Sequence, residues 1–189
     1  MIENLKNDTT IIDIQNVWFR YENQDWALKD INLKIQEGEF VAIIGQNGAG
    51  KTTLVKHFNG ILKPEKGKIL INGRETTSFP LEAMATQVGY CYQTPDHQIF
   101  NLTVQKELEF GLRNLKIPEA EIETRIKKVL ETVELIGFEE EYPFALSRGQ
   151  RQKLAVGTIL AMNPPVMIID EPTTGMDWRG GETMMNLIK

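Results

Sequence analysis

The stretch Phe40-Val41-Ala42-Ile43-Ile44-Gly45-Gln46-Asn47-Gly48-Ala49-Gly50-Lys51-Thr52 decides the fold. Its first five residues form a continuous apolar run. Such a run reads as a strand buried on both faces, the kind found in parallel sheets covered by helices. The spacing Gly45-x-x-x-x-Gly50-Lys51-Thr52 follows at once, and Lys51 to Asn59 suits a helix ended near Gly60. Strand, glycine-rich loop and helix in that order are the context a phosphate-binding loop requires. Glycines let the backbone curl so that successive N–H groups converge, and the helix start adds positive potential. Lys51 supplies a mobile positive charge for the β and γ phosphates of a nucleoside triphosphate. Thr52 offers a hydroxyl to magnesium. Gly45, Asn47, Gly48, Ala49, Gly50, Lys51, Thr52 and Thr53 are thus the candidate phosphate-binding set.

Working toward the N-terminus, Ile31–Ile35 alternates apolar and polar residues and reads as a strand, with a turn at Glu37-Gly38. Ile11–Tyr21 is a further strand, rich in β-branched and aromatic residues. Toward the C-terminus, Lys68–Gly73 reads as strand and turn, and Val88–Tyr92 as another strand. Cys91, the single cysteine, sits in that apolar run and reads as a small core side chain. The texture then turns helical. Apolar residues at Val104, Leu108 and Leu112 predict a helix over Val104–Leu115. Ile122, Ile126, Val129, Leu130 and Val133 predict another over Glu119–Leu135, with a charged solvent face. A third helix is expected from about Gly149 to Met162, and a last one over Gly181–Ile188.

Between them, Val166–Ile169 is a second buried strand, ended by Asp170-Glu171-Pro172. Parallel strands present ligand-binding groups at their C-terminal ends. Asp170 is therefore a candidate for magnesium, and Glu171 a candidate to polarise an attacking water. An acid pair after a strand is a weak signal alone. Behind a phosphate loop it is a strong one.

The segment Leu146-Ser147-Arg148-Gly149-Gln150 adds a third motif. Ser147 suits an N-cap and Gly149 a helix start. With the loop and the acid pair, this segment resembles the signature of ATP-binding-cassette (ABC) transporter ATPases, with Arg148 where that signature more usually has glycine. The resemblance runs from about Ile11 to Lys189. It implies an α/β fold: a P-loop NTPase core with a mostly parallel sheet, an N-terminal antiparallel β segment and an inserted α-helical subdomain. The core would take residues 1-93 and 164-189, and the helical signature subdomain residues 94-163. The resemblance also implies ATP with Mg2+, and further site residues. Tyr21 would stack on adenine. Gln93 would reach magnesium and water, beside Thr52 and Asp170. Asp177, in Thr174-Gly175-Met176-Asp177, would signal across a dimer. Ser147, Gly149 and Gln150 would close on the γ phosphate held by a second ABC ATPase subunit, the same chain or a different one. Glu171, Gln93 and Lys51 would be catalytic.

A narrower resemblance, to the energy-coupling-factor importers of vitamins and of cobalt or nickel ions, rests on Gln93-Thr94-Pro95-Asp96-His97-Gln98-Ile99-Phe100, Ser147–Gln152 and Pro172–Asp177. It implies a membrane transport subunit docking near Gln93–Phe100, and a place on the cytoplasmic face of the cell membrane.

Composition agrees with a globular protein: 189 residues, 41% apolar, 25% charged, net charge −5. No basic run is long enough for a nucleic-acid footprint. No stretch reaches the roughly 18 apolar residues of a membrane span, and Met1–Asp8 lacks a signal pattern. Two rival readings stand beside the transporter: a soluble cassette ATPase of repair or translation, and a nucleotide-binding module without hydrolysis. The family's switch histidine would follow the last helix, where the sequence stops. His57 and His97 do not take its place, and His57 reads as a helix-surface residue. The resemblance thus implies that the last core strands are missing and that the sequence is C-terminally truncated, with Ile43, Ile44, Ile168 and Ile169 facing an empty slot.

Overall fold

The computed structural model describes residues 9–188; Met1–Asp8 and Lys189 lie outside the described residues. The described residues form two compact units, divided between Gln87 and Val88.

The first unit is built on a four-stranded antiparallel sheet. Its strands are β1 (Thr10–Arg20), β2 (Trp26–Gln36), β3 (Lys66–Ile71) and the short β4 (Arg74–Glu75), in the order β2-β1-β3-β4. β1 pairs Ile12 with Ile35 and Ile71, and Ile14 with Leu33 and Ile69. The apolar parity of β1 changes along its length. Ile12 and Ile14 are buried at even positions, Val17 and Phe19 at odd ones. A strand keeps its faces only if the register is kept. The register shifts between Ile14 and Val17 in the pairing with β2, where Asn16 adopts a left-handed φ of 50°. That bulge accounts for the change of buried parity between Ile14 and Val17. Two helices complete the unit: α1 (Lys51–Phe58) and the short α2 (Leu81–Ala85). Phe58, Met84, Ile69 and Ile71 are buried in it.

One expectation fails here. Among the described residues, Phe40–Ile44 joins neither sheet, and Phe40, Val41 and Ile44 are exposed, Ile44 at 90%. A doubly buried strand needs ladder partners for its N–H and C=O groups. With none, the run stays open to water. The expected mostly parallel sheet is correspondingly reduced: parallel pairing is confined to the second unit.

That unit holds β5 (Val88–Cys91) and β6 (Val166–Ile169), paired in parallel from Val88↔Val166 to Cys91↔Ile169. Its helices are α3 (Val104–Asn114), α4 (Glu119–Thr132), α5 (Arg148–Met162) and α6 (Trp178–Leu187). Leu108, Leu112, Ile126, Val129, Leu130 and Leu154 share one core among α3, α4 and α5. Each such side chain contributes roughly 1.5–3 kcal/mol when fully buried. A second core joins Cys91, Ala155, Val156, Ile159 and Met184. Gly89 lets α5 approach the sheet, since a Cβ there would lie 2.3 Å from Ile159. Burial pushes the Cys91 thiol up to about 12, as suits a core side chain.

Candidate functional site

The glycine-rich loop lies in the first unit. Gly48 and Gly50 have φ of +83° and +87°. A Cβ at Gly50 would also lie 2.8 Å from the Ala27 carbonyl oxygen, so backbone geometry and space both demand glycine there. Ala49 N donates to Gln46 O at 3.1 Å and closes the turn. α1 starts at the next residue, with no acidic side chain in its first turn and no side chain capping it. The leading N–H groups of a helix need an acceptor, and an anion at the positive end of the dipole supplies one. Lys51 Nζ folds back on the loop, donating to Gly45 O at 2.9 Å and Gln46 O at 3.1 Å. The loop thus holds its own cation, and phosphate oxygens are stronger acceptors than the two carbonyls.

Tyr21 follows β1 and is 38% exposed. Its hydroxyl lies 3.2 Å from Thr53 Oγ1, two residues beyond Lys51. The structure therefore brings Tyr21 to the start of α1. It also corrects the reading of His57, which is fully buried rather than on the helix surface. His57 Nδ1 lies 2.7 Å from Thr53 O, and its ring meets Phe19 edge-on at 4.7 Å. An imidazole offers enough apolar ring to pack once one nitrogen is bonded. Burial lowers its pKa from the usual value, and the Thr53 bond partly opposes this.

The acid pair lies in the second unit. Asp170 N donates to Cys91 O at 3.0 Å, extending the β5–β6 pairing to the strand end. Tyr90 donates its hydroxyl to Asp170 Oδ2 at 2.8 Å. Burial first, and then Asp170, drive the Tyr90 phenol upward, so it stays a donor. Glu171 sits in the left-handed region at φ 48°, uncommon for a side chain of this kind and held by its surroundings. Gln93 Nε2 donates to its Oε2 at 2.6 Å, and Thr174 Oγ1 to the same oxygen at 3.0 Å. Gln93 and Glu171, 78 residues apart in sequence, are thus in direct contact.

Ser147 caps α5 through a reciprocal box: Gln150 N donates to Ser147 Oγ at 3.3 Å, and Ser147 N to Gln150 Oε1 at 2.9 Å. Around Gly149 a Cβ would meet nothing within 4 Å, so the helix start is open there. The Arg148 guanidinium rests against Gly175, its Nη1 only 2.6 Å from where a Cβ would be. Asp177 caps α6, accepting from Gly180 N at 2.7 Å, so α6 begins at Trp178, three residues before the expected Gly181.

Sequence reasoning missed Tyr90 as the partner of Asp170, and Gln98. The Gln98 side chain accepts from Tyr92 N at 3.2 Å and donates to Ala155 O at 2.9 Å and Thr158 Oγ1 at 2.7 Å. Arg151 also reaches back, donating to Asp96 Oδ1 at 2.8 Å. The Tyr90–Asp170 bond spans 80 residues, so no local pattern points to it. Contacts made by Gln98 and Arg151 across 57 and 55 residues leave no local signal.

Among the described residues no cluster of three or more His, Cys, Asp or Glu forms a metal site. In the second unit Gln93 and Asp170 offer amide and carboxylate oxygens, and in the first Thr52 offers a hydroxyl. Oxygens of these kinds suit magnesium, which keeps water and phosphate ligands and needs few from protein.

The family model described as ABC transporter matches residues 28–174. A putative ABC transporter ATP-binding protein of Caldanaerobacter subterraneus subsp. tengcongensis is 48% identical over 179 residues, covering 95% of this chain and 32% of its own length. The energy-coupling factor transporter ATP-binding protein EcfA of Methanocaldococcus jannaschii is 43% identical over 180 residues, covering 94% of this chain and 64% of its own. Among solved structures, cbiO1 from Clostridium perfringens, part of the ABC transporter complex cbiONQ, matches with a TM-score of 0.87 at 36% identity, over 95% of this chain and 72% of that one. The ATP-binding cassette MJ0796, in a dimeric post-hydrolysis state bound to ADP and Pi, matches with a TM-score of 0.81 at 31% identity, over 94% and 81%. The chain spans from about a third to about two thirds of the length of these curated relatives.

Proposed function

The chain belongs to the ABC transporter family of ATP-binding proteins, and from that premise we propose that it binds ATP at Gly45–Thr52 and serves as an ATPase subunit driving an importer of the energy-coupling-factor type. The observation that carries the reading is the phosphate cradle: an uncapped helix start behind left-handed glycines, with the Lys51 ammonium already drawn into the loop. The energy-coupling factor transporter ATP-binding protein EcfA and cbiO1, part of the ABC transporter complex cbiONQ, support the energy-coupling-factor type; the cargo in this proposal is a vitamin or a metal ion.

In this reading residues 1–93 and 164–189 make the nucleotide core and residues 94–163 the helical arm. Lys51 and the loop N–H groups bind the phosphates. Tyr21 stacks on the base. Thr52, Gln93 and Asp170 hold magnesium, which when bound neutralises phosphate charge. Glu171 orients the attacking water, and its fixed position supports this: Gln93 and Thr174 both donate to one oxygen, leaving the other for water. Catalysis of this kind is mainly positioning and charge stabilisation. Ser147, Gly149 and Gln150 close on the nucleotide of a second subunit, and Asp177 adjoins that interface. The segment Gln93–Phe100 meets a membrane transport subunit, at the inner face of the cell membrane. Among the described residues no helix is long and apolar enough to cross a membrane.

The test is direct. Lys51→Ala is expected to weaken ATP binding at least tenfold, measured by titration calorimetry on the full chain. Glu171→Gln is expected to keep binding and to remove steady-state phosphate release. Undiminished ATP affinity in Lys51→Ala would falsify the cradle as the nucleotide site.

A further inference from the structure

The buried His57 is not used by the chemistry above, yet it sits in a closed circuit of contacts within the first unit. Tyr21 meets Phe19 edge-on, with ring centroids 5.0 Å apart at 86°. Phe19 meets His57 in the same way, at 4.7 Å and 81°. His57 Nδ1 reaches Thr53 O at 2.7 Å, and the Thr53 hydroxyl returns to the Tyr21 hydroxyl at 3.2 Å. A carbonyl can only accept, so Nδ1 carries the proton and Nε2 is left as an acceptor. That Nε2 is buried and has no hydrogen-bond partner among the described residues.

This is a costly way to fill a core. A leucine would avoid the unsatisfied nitrogen, which is worth about 1–3 kcal/mol as a rule. What a leucine lacks is the pair of directional contacts. The Nδ1–H bond to the carbonyl one turn back fixes the imidazole orientation on α1. The fixed ring presents its geometry to Phe19, and edge-to-face pairs have a preferred orientation that hydrophobic contact alone lacks. Phe19 in turn meets the ring of Tyr21, just past the end of β1, edge-on. Tyr21 is therefore held from two sides, by the Thr53 hydroxyl and by the Phe19–His57 pair, although it is itself part-exposed. The anchoring end is α1, whose first residues belong to the phosphate cradle.

We propose that His57 is a positioning residue of the nucleotide site, which acts through Phe19 and Thr53 to set Tyr21 against the purine base of a bound nucleoside triphosphate. The proposal rests on the reading of Tyr21 as the base-stacking residue. It makes base recognition and phosphate binding separable: the circuit bears on the base, while Lys51 and the loop bear on the phosphates.

The experiment compares ATP with inorganic tripolyphosphate, which has the phosphates and no base, by calorimetry on the full chain. Tyr21→Ala is expected to weaken ATP and leave tripolyphosphate unchanged. Phe19→Leu and His57→Leu are each expected to weaken ATP about threefold to tenfold, the range of one lost aromatic pair, again without effect on tripolyphosphate. The double variant Tyr21→Ala with His57→Leu is expected to bind ATP no more weakly than Tyr21→Ala alone. Phe19→Leu keeps an apolar core residue and decides the matter if His57→Leu fails to fold. Equal losses for both ligands in Phe19→Leu, or additive losses in the double variant, overturn the role given to His57. A Tyr21→Ala variant with unchanged ATP binding instead removes the base-stacking reading, and the proposal with it.

Discussion

At the scale of single residues, His57 and Glu171 show how far type and spacing carry a reading. Glu171 stands out in the sequence because an acid pair after a buried strand, behind a phosphate loop, has few other uses. Its left-handed backbone and its bond to Gln93 were not, since both depend on β5 and β6 lying side by side. His57 was misread because a lone histidine in a short helix looks like surface. Its partners are Thr53, visible at i−4, and Phe19, which no local pattern points to. Burial without charge has a measurable consequence. The His57 pKa is lowered in the folded chain from the ordinary 6.5. Below about 6.5 the unfolded imidazole takes up a proton that the folded one resists, so unfolding gains protons. This contribution to stability is complete above that pH and is lost as pH falls below it, with a slope of at most about 1.4 kcal/mol per pH unit. Thermal melts from pH 7.5 to 5.5 should therefore show a steeper loss in the wild-type chain than in His57→Asn. Parallel curves would remove the buried neutral imidazole as the cause.

At the scale of elements, helices were easier to place than strands. α3 and α4 follow their apolar spacing closely, and α5 starts at Arg148 because Ser147 caps it. Such helices are encoded locally. The apolar run Phe40–Ile44 before the glycine-rich loop reads as a strand, but strand structure is a property of pairs, and among the described residues this run joins neither sheet. The bulge at Asn16 was likewise unread, although the change of apolar parity between Ile14 and Val17 was there to see. The capping box on α5 is the element feature with the clearest energetic prediction. Ser147→Ala removes the acceptor for Gln150 N and is expected to cost about 1 kcal/mol, within 0.5–2. Urea unfolding followed by circular dichroism reads this directly. A midpoint shift indistinguishable from zero would mean that Gln150 and water replace the cap. The same substitution bears on the proposed γ-phosphate contact, so stability and turnover should be measured on the same preparation.

At the scale of the whole molecule, each chain carries a phosphate cradle and a capped, open helix start in separate units, and the proposed mechanism needs one of each from different copies. A single chain then makes no complete site, while two chains make two. The nucleotide becomes part of the interface. Binding that favours the paired state must strengthen pairing by the same factor that pairing strengthens binding. Hydrolysis would normally dissolve the pair, so the state is best seen where turnover is blocked. Glu171→Gln keeps the side-chain shape and an acceptor oxygen but loses the charge that, in the proposed role, activates water. With ATP and magnesium, light scattering on this variant should show the mass rising to twice that of the monomer, and falling back when ADP replaces ATP. Ser147→Arg in the same background should abolish the doubling by filling the open start of α5, while leaving ATP affinity of the monomer largely intact. If Glu171→Gln remains monomeric with ATP at concentrations that saturate the cradle, self-pairing fails, and a different cassette subunit must supply the second half of the site. That outcome would be read by mixing the chain with a candidate partner and looking for the same ATP-dependent doubling.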